Sequence, residues 1–140
     1  MATMPTFNAT FPWATQLQRL QQRESAWASL ALFDAAGLTD AGRALEQLLQ
    51  AGQVFAQSDV DVGLVADELR RYQKFAPPGR PSVQIVQLRR QQSTVQQAQR
   101  MARQAFIRQA DALARALQLV VPVKLGPVVT VERWLKTHLA

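Results

Sequence analysis

The sequence predicts an all-α protein: a small bundle of four to five helices, with a long amphipathic helix in its C-terminal half and an extended, proline-containing N-terminal arm. Three observations lead there. Apolar residues recur at helical spacing along most of the chain, the prolines fall in the arm and in the breaks at 76–81 and 120–127 instead of inside the periodic segments, and the β-prone segment 83–88 has no obvious partner strand nearby. With 48% apolar residues over 140 positions, the chain can bury one core without disulfides. Residues 1–13 are read as the arm and 14–140 as a single helical domain.

The arm, MATMPTFNATFPW, carries Pro5 and Pro12 and no basic residue ahead of its apolar positions, so it does not read as a secretory signal. Its aromatic residues Phe7, Phe11 and Trp13 are candidate partner-binding groups, docking either on the same chain or on a neighbour. Trp13, Leu17, Leu20, Trp27, Leu30 and Ala31 then share a helical period without a breaker. A first helix is expected over 14–36. Gly37 interrupts it, Thr39 or Asp40 can cap, and Ala41, Ala44, Leu45, Leu48 and Leu49 form the face of a second helix ending at Gly52.

Ser58-Asp59-Val60-Asp61 reads as a helix start, with acids at the positive end of the dipole and Arg70, Arg71 and Lys74 at the negative end. That places a third helix over 59–75. Residues 76–81, APPGRP, end it, because proline removes a donor and fixes φ. Residues 83–88 suit either a strand or a helix capped by Ser82, and helix is preferred for want of a partner strand. Ser93 or Thr94 opens the longest helix, to Leu119. Val120 to Pro127 runs extended, and Thr130 caps a last helix through Trp134 and Leu135.

Charge carries the functional signal. The formal net charge is +6, which favours an anionic partner. Between Glu68 and Asp111 there is no acidic residue, while Arg70, Arg71, Lys74, Arg80, Arg89, Arg90, Arg100, Arg103 and Arg108 all fall inside that window. Arginine, with its planar fork, matches phosphate better than lysine does. On a 100° wheel, Arg100, Arg103, Arg108 and Arg115 share an arc with Gln96, Gln97, Gln104 and Gln118. The opposite arc holds Val95, Ala98, Met101, Ala102, Ala105, Ala112, Leu113, Ala116 and Leu117, a face expected to be buried against the domain or a second copy.

These residues point to a nucleic-acid-binding accessory protein that grips phosphates through Arg80, Arg89, Arg90, Arg100, Arg103 and Arg108, on DNA or RNA and without base specificity. The competing expectation is a helical protein-interaction module, a homo-oligomer or a subunit of a larger complex, whose basic face meets an acidic protein. A membrane partner is disfavoured, because alanine inserts poorly into lipid.

Other chemistries find little support. Gly37 to Ala44 has the glycine spacing of a phosphate-binding loop but lacks its lysine and hydroxyl residue. A helix-turn-helix would present Asp40, Arg43, Glu46 and Gln47, whose balanced charges suit DNA poorly. Asp59, Asp61 and Gly63 would make a calcium loop only with a glutamate where Arg70 stands. With no cysteine and a single histidine, His138, neither a metal site nor a hydrolytic triad is expected. The expectation is a protein without enzymatic activity or cofactor, in a reducing, cytoplasmic setting.

Overall fold

The computed structural model describes residues 12–75, 79 and 82–139, and those residues form an all-α protein. Helix α1 spans Ala14–Gln21, a 3-10 helix Ser25–Leu30, and two short strands, β1 Phe33–Asp34 and β2 Gly37–Leu38, pair antiparallel. Three more helices follow: α2 Asp40–Lys74, α3 Val83–Ala116 and α4 Gly126–His138. Helices α2 and α3, each about 50 Å long at ~1.5 Å per residue, make one long antiparallel hairpin. Phe55 meets Phe106 with ring centroids 5.9 Å apart, Asp59 meets Gln99, and Leu69 clusters with Ile85 and Leu88.

The expected first helix is shorter than its period implied. Helix α1 stops at Gln21 because Arg23 takes a left-handed conformation, φ 54°. Glu24 N–H then donates to the Arg19 carbonyl and Arg23 N–H to that of Leu20, which closes the helix end as glycine normally would. Ala31, φ 56°, is a second left-handed residue, and the chain then turns through the β1–β2 hairpin. Ala36 N–H donates to Asp34 Oδ1 at 2.9 Å inside that turn. Helix α3 ends in the same way as α1, with Gln118 at φ 57° and Leu119 N–H donating to the Ala114 carbonyl.

Two further expected boundaries dissolve. The second and third expected helices are one element, α2, because Gly52 is buried within it and Ser58 caps nothing. Ser58 Oγ donates instead to the Phe55 carbonyl, 2.6 Å away, as a serine inside a helix can. Likewise the ambiguous segment 83–88 and the long helix beyond it are continuous as α3, with Ser82 as the cap: its Oγ accepts from Ile85 N–H at 3.2 Å. Replacing Ser82 with alanine is expected to lower stability by about 1 kcal/mol in chemical denaturation. The last helix starts earlier than expected, because Pro127 sits in its first turn, where no N–H is needed.

The buried stripe of α3 also differs from the wheel. Ile85, Leu88, Gln92, Val95, Gln99, Ala102, Phe106, Gln109 and Leu113 alternate in steps of three and four and are all buried or half-buried. This is a 3.5-residue period. The wheel centred the apolar face on the alanines, whereas the seam takes in Gln92, Gln99 and Gln109, so Ala98, Met101, Ala112 and Ala116, expected inside, are exposed.

Packing is uneven along the hairpin. The main core lies at one end, where Leu45, Leu48 and Leu49 of α2 meet Leu113 of α3, Leu20 of α1 and Val131 and Leu135 of α4. Gln16 Nε2 donates to the Leu139 carbonyl at 3.3 Å, tying α1 to the end of α4. At the other end only Leu69, Ile85 and Leu88 form a small second cluster beside the 76–81 connection. The hairpin thus stands out from the core as a two-helix arm, and α3 carries its arginines along that arm.

Candidate nucleic-acid interface

The 3.5-residue period that buries one seam of α3 also decides where the arginines go. Arg89, Arg90, Arg100, Arg103 and Arg108 all fall between the seam positions, and all five are exposed. From Arg89 to Arg108 the ridge runs about 28 Å along the helix. Gln96, Gln97 and Gln104 are exposed between them, and Arg100 donates to Gln97 Oε1 at 2.7 Å, which steadies one guanidinium without neutralising it.

Among the described residues, the ion pairs are Arg19 with Glu24, Arg43 with Asp40, Arg70 with Asp67 and Arg115 with Asp111. None of the five ridge arginines has an acidic partner. Asp111 pairs with Arg115 at 2.8 Å and leaves Arg108 unpaired. Exposed cations without an acid beside them keep their charge available to a ligand, although salt screens it over ~8 Å at physiological ionic strength.

The second helix adds to this field at the far end of the hairpin. Arg70, Arg71 and Lys74 occupy the last turns of α2, opposite the first turns of α3 that carry Arg89 and Arg90. All of these are exposed, and among the described residues only Arg70 is paired. Cations that lie far apart in the sequence therefore fall towards the same end of the hairpin, Arg90 in a groove shared with Asp61 and Leu64 and Arg70, Arg71 and Lys74 in one shared with Asp67. Sequence reasoning gave Arg70, Arg71 and Lys74 a helix-end role and missed that convergence, whose signal would have been the antiparallel register of α2 on α3.

Arg80, Phe7 and Phe11 lie outside the described residues. Trp13 is half-buried, packs against the main core and lines an apolar cavity of about 200 Å³ with Leu48, Phe55, Phe106 and Val131. The glycine pair that resembled a phosphate-binding loop has two backbone explanations. Gly37 sits at φ +130°, and Gly42 approaches the Leu32 carbonyl so closely that a Cβ would lie 1.8 Å from its oxygen. The calcium-loop residues are helical: Asp61 accepts from Gln57 at 3.0 Å and Asp59 from Gln99 across the hairpin.

Comparison with family models, curated proteins and solved structures finds no match. Among the described residues, no group of three histidine or acidic side chains could hold a metal ion, and no helix is long and apolar enough to cross a membrane.

Proposed function

We propose that this protein is a non-enzymatic nucleic-acid-binding accessory protein of the cytoplasm, gripping phosphates through the arginine and glutamine ridge of α3, alone or within a larger assembly. The observation that supports this most is the row of five exposed arginines, Arg89, Arg90, Arg100, Arg103 and Arg108, with no acidic partner among the described residues. A merely solvated helix face mixes both signs, since pairs three and four residues apart stabilise it. One-signed arginine with interspersed glutamine suits phosphate oxygens, with no pattern of base-edge readers to impose sequence.

Fluorescence anisotropy with labelled single-stranded DNA, duplex DNA and RNA across a salt series tests this. Five phosphate contacts predict a log-log slope of about −3.5 on single strands and about −4.5 on duplex. Absence of binding at low salt on all three probes would end the reading. The second reading, a module for an acidic protein or an oligomer, is favoured by the apolar side chains that the hairpin leaves outward, Val54, Leu64, Val83 and Met101 among them, each at least 60% exposed. Light scattering that gives a monomer at all concentrations would count against self-assembly.

A further inference from the structure

The turn end of the α2–α3 hairpin displays aromatic and apolar side chains amid its cations. Phe75 is 80% exposed, Val83 70% and Tyr72 43%. None belongs to the small cluster of Leu69, Ile85 and Leu88 that holds this end together. Tyr72 lies in the last turn of α2 and Phe75, three residues on, is the residue that caps it. Lys74 Nζ lies 5.6 Å from the Phe75 ring centroid, and Arg71, Arg89 and Arg90 are exposed towards the same end of the hairpin, with no acidic group in salt-bridge contact among the described residues. Folding gains little from leaving Phe75 in water and Tyr72 partly exposed beside it. A ligand with flat apolar faces and negative charge would gain from both features.

We propose that this end of the hairpin binds unpaired bases of a single-stranded nucleic acid, Phe75 and Tyr72 stacking on base faces while Arg71, Lys74, Arg89 and Arg90 hold the flanking phosphates. This rests on the nucleic-acid reading of the α3 ridge and adds the strand type to it. Every base has a π-face, so a ring platform among cations binds strands with little regard to sequence. In a duplex those faces are hidden within the stack and only base edges reach the grooves. An anionic membrane would also meet an apolar tip ringed by cations. The cations, however, continue down α3 for about 28 Å beyond Arg89, several times the ~8 Å over which salt leaves a membrane's charge perceptible. A strand lying along the hairpin reaches the tip and the ridge together; a membrane that takes up the tip end-on reaches only the tip.

The test compares the full chain with Phe75→Ala, Tyr72→Ala and Phe75→Trp. Each is titrated against a labelled single strand and the matching duplex, and sedimented with vesicles of mixed phosphatidylserine and phosphatidylcholine. Single-strand affinity should fall about fivefold or more for each alanine, be retained by Phe75→Trp, and stay unchanged on duplex. Circular dichroism reports whether the helices remain intact, as exposure of both rings leads us to expect. Equal losses on single strand and duplex, or no loss on either while the parent protein binds both, would overturn the stacking role and leave the ridge reading standing. Vesicle binding that depends on Phe75, without single-strand binding, would assign the tip to a membrane. No nucleic-acid binding by the parent protein at low salt would remove the ridge reading itself, and this inference with it.

Discussion

Replacing Gly42 with alanine is expected to lower the stability of the fold by about 3 kcal/mol, at the upper end of what overpacking costs. The added methyl group would lie 1.8 Å from the Leu32 carbonyl oxygen and 2.9 Å from its carbon. Neither atom can retreat cheaply. Leu32 is fully buried in the main core, its carbonyl accepts from Thr39 N–H at 3.1 Å, and Thr39 Oγ1 donates to the Ala31 carbonyl while accepting from Gly42 N–H. Shifting α2 away from Leu32 would therefore disturb the β-hairpin, the helix cap and the core together. Gly63, on the same helix, has nothing within 4 Å of its would-be Cβ. There alanine should raise stability by about 0.5 to 1 kcal/mol, through the lower backbone entropy it loses on folding. Urea denaturation curves of the two variants should move in opposite directions, and a Gly42→Ala midpoint equal to that of the parent protein would refute the close-approach account.

The double charge reversal Arg100→Glu with Arg103→Glu should weaken nucleic-acid binding about a hundredfold, taking each charged phosphate contact as roughly tenfold. The magnitude of the log-log salt slope should drop by about 1.4 to 1.8, the share of two contacts. Both side chains are exposed and neither is in an ion pair, so the helical signal and the melting temperature should hold. The matched control is Lys124→Glu with Lys136→Glu, which changes net charge equally at exposed positions off the α3 ridge. If the two double variants lose affinity equally, binding follows net charge and the ridge has no special part in it.

How much of this could be read in the sequence depended on how local each cause was. Thr39 and Ser82 cap helices from their own side chains, and both were legible. So was the exposure of the α3 arginines, which follows from periodicity alone. The ends of α1 and α3 were not, because Arg23 and Gln118 adopt a backbone conformation that usually announces itself with glycine. The continuity of α2 was hidden for the opposite reason. Ser58 and Asp59 resemble a helix start, yet inside the helix one bonds back to the preceding turn and the other reaches across to Gln99. The alanine stripe on α3 was misplaced because three positions of the buried seam, Gln92, Gln99 and Gln109, are glutamines that polarity alone would not place inside. The gathering of Arg71, Lys74, Arg89 and Arg90 at one end arises only when α2 and α3 pair, and no single stretch of sequence contains it.

The two unequal hydrophobic clusters have a dynamic meaning. Opening the far end of the hairpin exposes three buried side chains, Leu69, Ile85 and Leu88, whereas opening the other end must break contacts among α1, α2, α3 and α4 at once. Local unfolding free energy should therefore rise along the hairpin from the turn towards the main core. The cations and exposed rings sit on the cheap side of that gradient, so a ligand bridging both helices there would suppress fraying and contribute part of its affinity as added protection of the backbone amides near the turn. With such a ligand the base of the hairpin would act as a fixed mount, and its tip as the part that tightens.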